Sequence, residues 1–358
     1  MPSSVVIRQK VKLATYTTLG LGGPARKFAL CQTENQIREA LTFAQSHDLR
    51  VFVMGGGSNT IFSDKGYDGL VIKISVKGLT FDSSGDAVLA RAGAGEEWDT
   101  FVQQCIARGL GGIECLSGIP GLVGATPIQN VGAYGQEVAD TIVSVEGLDR
   151  FSQEPITLTA ADCKFGYRMS RFKSDDASRI IITAVTFSLM PNAPAVIRYP
   201  ELQQLIDQSV DLHALKSGVK ALTTVRAVVL QLRRSKSMVI DPNDPHTKSV
   251  GSFFMNPVVT LADFDDVQSR WKAMGGTEEV PHFPAGRKVK IPAAWLVEKS
   301  GFPKGFRYGG AGVSANHSLA LVNYGCTTQE LLALASMIEA GVREKFGIQL
   351  RREPILVE

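Results

Sequence analysis

Residues 118–135, GIPGLVGATPIQNVGAYG, decide how the rest of this chain is interpreted. They place five glycines, two prolines and the pair Gln129-Asn130 within eighteen positions. Glycine permits positive φ and proline fixes φ at about −65°, so neither an ordinary helix nor an ordinary strand tolerates this composition. We therefore expect an irregular backbone that approaches a bound group closely, and a large cofactor is the simplest such group.

A second glycine run follows the apolar segment VFVM, which predicts a short buried strand. The strand leads into Gly55, Gly56, Gly57, Ser58 and Asn59. Such a run can form a concave backbone whose N–H groups bind a pyrophosphate. It lacks the G-x-x-x-x-G-K-[ST] and G-x-G-x-x-G patterns, so it predicts neither a P-loop NTPase nor a Rossmann domain. A plain tight turn explains this run equally well when it is considered alone.

Composition limits the classes of function. The 358 residues, 44% hydrophobic and 20% charged, predict a soluble globular chain of two or three domains. The net charge of +3 is small and the basic residues are scattered, which argues against a nucleic-acid partner. Five cysteines without a C-x-x-C pair predict reduced thiols and a cytoplasmic protein. No secretory or membrane-spanning apolar segment is evident, so we expect no membrane contact.

Hydrophobic spacing predicts the main elements. We expect a helix after Thr33, with a capping box to Gln36, and a second helix from Trp98 that ends near Gly109. Short β-rich runs between residues 142 and 189 predict an antiparallel or mixed sheet. Prolines and turn residues predict a mobile surface loop over residues 192–205. Later elements are helices around residues 225–232, 262–274 and 292–300, a helix capped by Thr327, and a terminal strand within residues 347–358.

Metal and triad chemistry are poorly supported. The five histidines have no ligand spacing, and no G-x-S-x-G motif occurs. Polar residues next to aromatic or glycine neighbours are better candidates, namely Arg168, Ser252 and Glu353. On residue type alone, Arg168 is an ion-pair partner, Ser252 a turn hydroxyl and Glu353 a partner of neighbouring arginines.

Six motifs in order change those interpretations: MGGGSN, GIPGLVGATPIQNVGAYG, CKFGYRMSRFK, GSFFMNP, IPAAWLVEKSG and LRREP. Over nearly the whole chain they resemble the UDP-N-acetylenolpyruvoylglucosamine reductases, which complete UDP-N-acetylmuramate in bacterial cell-wall synthesis. PIQN, GAYG and the segment around Tyr199 are similar to the type with a tyrosine loop that covers the substrate.

The resemblance implies an α+β chain that contains an FAD-binding fold of the vanillyl-alcohol-oxidase/PCMH type. The implied divisions are FAD-binding subdomains at residues 1–78 and 79–220, a substrate-binding α+β domain at 221–345, and a terminal strand at 346–358 that returns to the active site. FAD is expected to be non-covalent, since no His or Cys lies in residues 55–59, and NADPH is the expected reductant. The implied FAD-binding residues are Gly55, Gly56, Gly57, Ser58, Asn59, Pro120, Gly121, Gly124, Ala125, Gln129, Asn130, Gly132, Ala133 and Tyr134.

The same resemblance assigns catalytic roles. A hydride from flavin N5 reaches C3 of the enolpyruvyl group, Ser252 gives a proton to C2, and Arg168 and Glu353 stabilise the enolate. The implied sugar-nucleotide ligands are Tyr167, Tyr199, Lys236, Asn256 and Lys299. Lys299 departs from the glutamine of many relatives, which puts that contact in doubt. His317 is expected to be structural, and the protein is expected to act as a monomer on a small-molecule substrate.

Two other interpretations stay open at this point. Another flavin oxidoreductase of the same fold, which oxidises an alcohol or hydroxy acid, would explain both glycine runs. A non-catalytic flavin-binding or sugar-nucleotide-binding regulator would also explain them. Neither accounts for Arg168, Ser252 and Glu353 together with the Tyr199 segment.

Overall fold

The computed structural model describes residues 4–194, 197–209 and 217–358. The chain divides into two compact units. The first consists of the described residues of Met1–Val11, Ala25–Gly56 and Asp68–Ser235, and the second of Lys12–Pro24, Gly57–Tyr67 and Lys236–Glu358.

Within the described residues, the α-helices are α1 (Glu34–Ser46), α2 (Trp98–Ala107), α3 (Pro200–Ser209), α4 (Gly218–Ser235), α5 (Leu261–Ala273), α6 (Ala293–Lys299) and α7 (Thr328–Phe346). The strands there are β1 (Ile7–Lys12), β2 (Pro24–Cys31), β3 (Val51–Met54), β4 (Thr60–Phe62), β5 (Tyr67–Ile74), β6 (Leu79–Ser84), β7 (Ala87–Gly93), β8 (Leu110–Gly111), β9 (Gly132–Ala133), β10 (Gln136–Glu137), β11 (Ile142–Asp149), β12 (Pro155–Thr159), β13 (Ile180–Pro191), β14 (Ser249–Ser252), β15 (Val258–Val259), β16 (Phe283–Ala285), β17 (Lys288–Lys290), β18 (Arg307–Tyr308), β19 (Ala311–Val313), β20 (Ala320–Asn323) and β21 (Ile355–Val357). None of the helices so described is long and apolar enough to span a membrane.

The first sheet, in the order β1-β2-β5-β3, belongs mainly to the first unit. Helix α1 connects β2 to β3 and begins as predicted, because the Thr33 side chain accepts a hydrogen bond from Gln36 N at 3.2 Å. The predicted capping box is only half correct. The Gln36 side chain accepts from Gln32 N at 2.7 Å, one residue before the N-cap.

The second sheet of this unit has the order β12-β11-β13-β7-β6, and β8 also pairs with β13. Its strands pair in antiparallel fashion, as the β-rich runs predicted. Helix α2 buries the predicted apolar face against the core. Gly109 follows the helix with φ +71°, which a glycine adopts without strain.

The predicted loop over residues 192–205 is wrong from Pro200 onward, where α3 begins; residues 195 and 196 lie outside the described residues. A proline fits the first turn of a helix because its missing N–H has no helical partner there. Leu202 and Ile206 are one turn apart and pack with Val225 and Val229 of α4. The helical spacing of these apolar residues therefore determines the structure here, despite the prolines and turn residues.

The second unit contains the antiparallel sheet β14-β20-β19-β18, the three strands β15-β17-β16 and the parallel pair β21-β4. Its core includes the buried face of α7, whose capping box between Thr327 and Glu330 confirms the prediction. Helix α5 begins one residue before the predicted start, and α6 begins at Ala293 and ends at Lys299.

The predicted terminal strand is shorter in the structure, since only Ile355–Val357 pairs in parallel with β4. Glu353 precedes this strand, so its predicted place on a strand is corrected. Pro354 lacks the N–H that a ladder needs, and Ile348 and Leu350 are buried in the core of the second unit. The domain division implied by the resemblance stays a prediction, although α4 lies within the first unit.

Candidate active site

The two glycine-rich runs approach each other in the first unit at Gly56 and Gly121. A Cβ atom on Gly56 would lie 2.8 Å from the Cα atom of Gly121, and one on Gly55 would lie 3.5 Å from the Cβ of Ala125. The backbone of Gly55 is also held by Lys73, whose ammonium donates to the Gly55 carbonyl. The structure thus brings together residues that the sequence assigned to one cofactor site.

Residues 118–135, called here the glycine-rich loop, pack tightly on the core. A Cβ on Gly124 would lie 2.4 Å from the Cβ of Ala94, and Gly124 N donates to Ala94 O at 3.0 Å. The amide of Trp98 donates to Gly121 O at 3.1 Å. Because glycine is the residue that fits at position 124, a side chain there would push the loop away from its support.

Asn130 holds the second half of the loop from inside. Its side chain is buried, its amide nitrogen donates to Glu137 at 2.6 Å and to Gly166 O at 3.1 Å, and its Oδ1 accepts from Ala139 N at 3.1 Å. The residue has φ +46°, in the left-handed region that Asn tolerates better than most residues. Asn130 therefore shapes the loop through its own hydrogen bonds.

Arg168 contacts the same loop. Its Nη2 donates to Gly132 O at 2.6 Å and its Nη1 donates to Asn130 O at 3.3 Å. Arg168 itself has φ +52°, and its guanidinium carbon lies 5.8 Å from the centre of the Tyr167 ring. The predicted catalytic arginine and the predicted cofactor loop thus form one hydrogen-bonded group.

Tyr134 and Tyr199 meet at the other end of the loop. Their ring centres are 5.4 Å apart in an edge-on arrangement, and Tyr134 forms a side-chain hydrogen bond with Arg233. Burial raises the pKa of both tyrosine hydroxyls, so both stay protonated near neutral pH. The predicted substrate-covering tyrosine is therefore next to a predicted cofactor residue.

Gly57, Ser58 and Asn59 belong to the second unit. Gly57 has φ +71°, and a Cβ there would lie 2.0 Å from the Tyr16 carbonyl oxygen, so only glycine fits. Asn59 is tied to the terminal segment, because its side chain donates to Glu353 O at 3.3 Å and its carbonyl accepts from Ile355 N at 3.0 Å.

Ser252 ends β14 in the second unit, beside Glu353. It pairs with Ala320 after an irregularity in the ladder, and Gly251 within that irregularity has φ +75°. The next residue, Phe253, donates its N–H to Leu319 O at 2.7 Å and accepts at its carbonyl from Glu353 N at 2.9 Å. The backbone thus places two predicted catalytic residues on adjacent segments, which we call the Ser252 junction: Ser249–Ser252, Phe253 and residues 351–353.

The remaining predicted ligands in the second unit have contacts of their own. Asn256 Oδ1 accepts from Ala293 N at 2.9 Å at the start of α6. Lys299 forms an ion pair with Glu278 at 2.6 Å, and its ammonium lies 4.9 Å from the centre of the Trp271 ring. His317 Nδ1 accepts from Leu319 N at 3.1 Å, which fits the structural role expected for it. Lys236 is partly buried and is the first residue of the segment Lys236–Glu358 of the second unit.

Sequence reasoning missed Lys73. Burial, with a smaller contribution from Lys77, lowers the pKa of the Lys73 ammonium, which lies on β5 and donates to Gly55. A lysine near the end of the apolar strand YDGLVIKI was the available signal, because strands with buried neighbours seldom carry one without a partner.

The first unit fits FAD in its chemistry. A Cβ on Gly56 would meet Gly121, so the two glycine runs pack backbone against backbone. Glycine-rich backbone of this kind can offer N–H groups to a pyrophosphate. The comparisons with known proteins agree: the FAD binding domain model matches residues 25–150, and the model described as UDP-N-acetylenolpyruvoylglucosamine reductase, C-terminal domain, matches residues 242–357.

Full-length relatives decide the family. The chain is 45% identical to the UDP-N-acetylenolpyruvoylglucosamine reductase of Thermobifida fusca over 355 residues, which are 98% of this chain and 97% of that one. The chain belongs to the UDP-N-acetylenolpyruvoylglucosamine reductase family. The reductase of Saccharopolyspora erythraea is 44% identical, with 97% and 94% of the two chains covered, and that of Mycobacterium tuberculosis is 42% identical, with 98% and 95% covered.

The solved structures support the reductase fold. A crystal structure of UDP-N-acetylenolpyruvylglucosamine reductase from Thermus caldophilus matches with a TM-score of 0.64 and 24% identity over 99% of both chains. At that identity the match shows the fold alone. The expected fold class, an α+β FAD-binding fold followed by a C-terminal reductase domain, is thereby confirmed.

Proposed function

We propose that this protein reduces UDP-N-acetylglucosamine enolpyruvate to UDP-N-acetylmuramate, a step in peptidoglycan precursor synthesis, with FAD as cofactor and NADPH as reductant. The observation that carries the proposal is the 45% identity to a reductase of that name across 98% of the chain. The close approach of Gly56 and Gly121 supports the FAD site independently, because it is a property of this backbone. The free thiols of all five cysteines support a reducing compartment, the cytoplasm.

FAD is proposed to bind non-covalently between the first glycine run and the glycine-rich loop, because residues 55–59 contain no His or Cys for attachment. When bound, it supplies hydride transfer from NADPH to C3 of the enolpyruvyl group. Backbone N–H groups of residues 55–59 and of the loop are proposed to hold its pyrophosphate. Lys73 supports this arrangement, because its ammonium donates a hydrogen bond to the Gly55 carbonyl and holds that residue in place.

Three side chains are proposed to act on the enolpyruvyl group. Addition of hydride at C3 places negative charge on the carboxylate side of C2. The Arg168 guanidinium is proposed to stabilise this charge, together with Glu353 acting as a protonated carboxylic acid that donates a hydrogen bond. Ser252 donates its hydroxyl proton to C2 and takes another from solvent. A hydroxyl is a weak acid, so this role depends on fixed geometry, which the paired segments of the Ser252 junction support.

The sugar nucleotide is proposed to be held by Tyr167, Tyr199, Lys236, Asn256 and Lys299. Lysine suits a diphosphate as a point charge. Asn256 Oδ1 already accepts a hydrogen bond from Ala293 N, so we propose that Asn256 contacts the sugar nucleotide through its side-chain amide nitrogen. The ion pair between Lys299 and Glu278 competes with any substrate contact of Lys299.

The test is anaerobic oxidation of NADPH by the purified protein, followed by the absorbance of NADPH, with and without UDP-N-acetylglucosamine enolpyruvate. We expect multiple turnovers only with the enolpyruvyl sugar nucleotide, and a product heavier by two hydrogens. UDP-N-acetylglucosamine is the matched control, because it keeps the nucleotide and sugar but has no enolpyruvyl group. A single reduction followed by a stall in the presence of the enolpyruvyl sugar nucleotide would refute the proposed substrate. Rapid NADPH oxidation without sugar nucleotide in a parallel assay that contains oxygen would also refute it.

A further inference from the structure

The first residue of the glycine-rich loop is held by a carboxylate from helix α2. Asp99 Oδ1 accepts from Gly118 N at 2.5 Å and from Arg226 Nη1 at 2.5 Å, and its Oδ2 accepts from Arg226 Nη2 at 2.8 Å. Arg226 lies on α4, 127 positions away in the sequence. One carboxylate therefore connects α2, α4 and the entry of the loop.

The burial and the paired hydrogen bonds of Asp99 and Arg226 favour one fixed geometry. The Arg226 side chain is only 13% exposed, whereas that of Asp99 is 40% exposed. Burial raises the pKa of Asp99, but the hydrogen bonds from Arg226 and Gly118 outweigh it, and the net pKa is lowered. The two parallel N–H···O bonds of such a pair fix orientation as well as distance. The lowered pKa keeps the Asp99 carboxyl ionised near neutral pH, and the carboxylate holds Gly118 N–H in one place.

The same helix also contacts the far end of the loop. Arg233 follows Arg226 by seven residues, about two helical turns, so the two side chains project from the same face of α4. Arg233 hydrogen-bonds with Tyr134, the last residue but one of the loop. Helix α4 is itself anchored, because Leu222, Val225 and Val229 are fully buried. It therefore contacts the beginning of the loop through Asp99 and the end of the loop directly.

We infer that Asp99 and Arg226 are positioning residues for FAD, which act by fixing the entry of the glycine-rich loop against helix α4. This inference rests on the proposed function only in so far as the loop binds FAD. Loss of the Asp99 charge leaves a largely buried guanidinium without its carboxylate and gives Gly118 N–H a weaker acceptor. The loop entry then has alternative positions, so FAD binds more weakly and the environment of the flavin changes.

The experiment compares Asp99→Asn with Glu146→Gln in the FAD-loaded protein. Glu146 is the matched control, because it forms the same kind of paired bonds with Arg91, at 2.8 and 2.7 Å, within the antiparallel sheet of the same unit. Release of FAD after dilution is followed by flavin fluorescence, the bound flavin by visible circular dichroism, and folding by thermal unfolding.

We expect Asp99→Asn to weaken FAD binding about tenfold and to change the flavin circular dichroism, and Glu146→Gln to change FAD binding by less than about twofold. Equal FAD release from the two variants, or an Asp99→Asn protein with unchanged release and spectrum, would overturn the inference.

A second variant keeps the test decisive if Asp99→Asn does not fold. Arg226→Lys retains the charge but loses the forked geometry, so we expect FAD binding to weaken by about threefold. Unchanged FAD release from this variant counts against the positioning role. The assay contains neither NADPH nor sugar nucleotide, so a wrong substrate in the proposed function would leave its result unaffected, and a wild-type protein that binds no FAD would refute the proposed cofactor instead.

Discussion

The glycine-rich loop and the Ser252 junction place their proposed functional groups by different means. In the loop, bare backbone approaches other backbone or core atoms, as at Gly56 with Gly121 and at Gly124 with Ala94. In the junction, main-chain hydrogen bonds align distant segments, as in the pairing of Ser252 with Ala320 and the bond between Glu353 N and Phe253 O. The close packing in the loop is lost when a side chain is added at Gly56 or Gly124. The junction tolerates a change of side chain, because the ladder uses only main-chain atoms.

The largest effect is expected at the junction. We expect Ser252→Ala to lower turnover by about a thousandfold while NADPH still reduces the flavin at the normal rate, because only the second half-reaction needs the proton. Stopped-flow absorbance separates the two half-reactions. Ser249→Ala on the same strand is the control, since it removes a hydroxyl from the same junction, one that accepts from Gly251 N at 3.3 Å and has no proposed role in the chemistry. Equal loss in both half-reactions would show that Ser252 serves the flavin site and not proton transfer.

A change at Arg168 tests both arrangements at once, because this residue contacts the loop and has a proposed role in chemistry. We expect Arg168→Lys to lower turnover about a hundredfold, since an ammonium cannot reproduce the forked donors toward Asn130 O, Gly132 O and a carboxylate. Arg171→Lys is the control, because Arg171 pairs with Asp176 within the same segment. Should Arg168→Lys release FAD but keep its turnover when FAD is saturating, Arg168 would be a part of the loop alone.

The loop itself is tested most directly at Gly56. We expect Gly56→Ala to weaken FAD binding about tenfold, because its Cβ would meet Gly121 Cα at 2.8 Å and the two runs would have to separate. Gly56 is not among the residues with positive φ, so the effect is one of space. In Gly166→Ala the new Cβ would meet only Met169 Cβ at 3.8 Å, so this control should bind FAD normally. Normal FAD binding by Gly56→Ala would show that the loop does not depend on the close approach of Gly56 and Gly121, and would contradict the proposed difference between loop and junction.

The contrast also explains what could be predicted from sequence. Glycine and proline composition marked residues 118–135 as a close-approach segment, because the steric requirement is local and leaves a local signature. The capped helix after Thr327 and the buried face of α2 were predictable for the same reason. Ser252 and Glu353 have no such signature, and their roles were assigned only from the resemblance.

Other features depend on partners that are far away in the chain. Neither the contact of Asp99 with Arg226 nor that of Lys299 with Glu278 follows from local composition. The loop predicted over residues 192–205 was wrong after Pro200 because burial of Leu202 and Ile206 against α4 outweighs the local prolines. The terminal strand was predicted too long because Ile348 and Leu350 are apolar for a different reason: they lie outside the strand and bury their side chains in the core of the second unit.

The smallest expected effect concerns Tyr199, which lies next to the loop but is not part of it. Tyr199 is 37% exposed and its ring packs edge-on against Tyr134, so Tyr199→Phe keeps the packing and removes only the hydroxyl. Loss of one hydrogen bond to the sugar nucleotide should raise KM about threefold and leave flavin reduction by NADPH unchanged. Tyr308→Phe, at a comparably exposed tyrosine in the second unit, should leave KM unchanged. If both variants have the wild-type KM, the Tyr199 hydroxyl does not bind the sugar nucleotide. The role of Tyr199 would then be to pack its ring against Tyr134 of the glycine-rich loop.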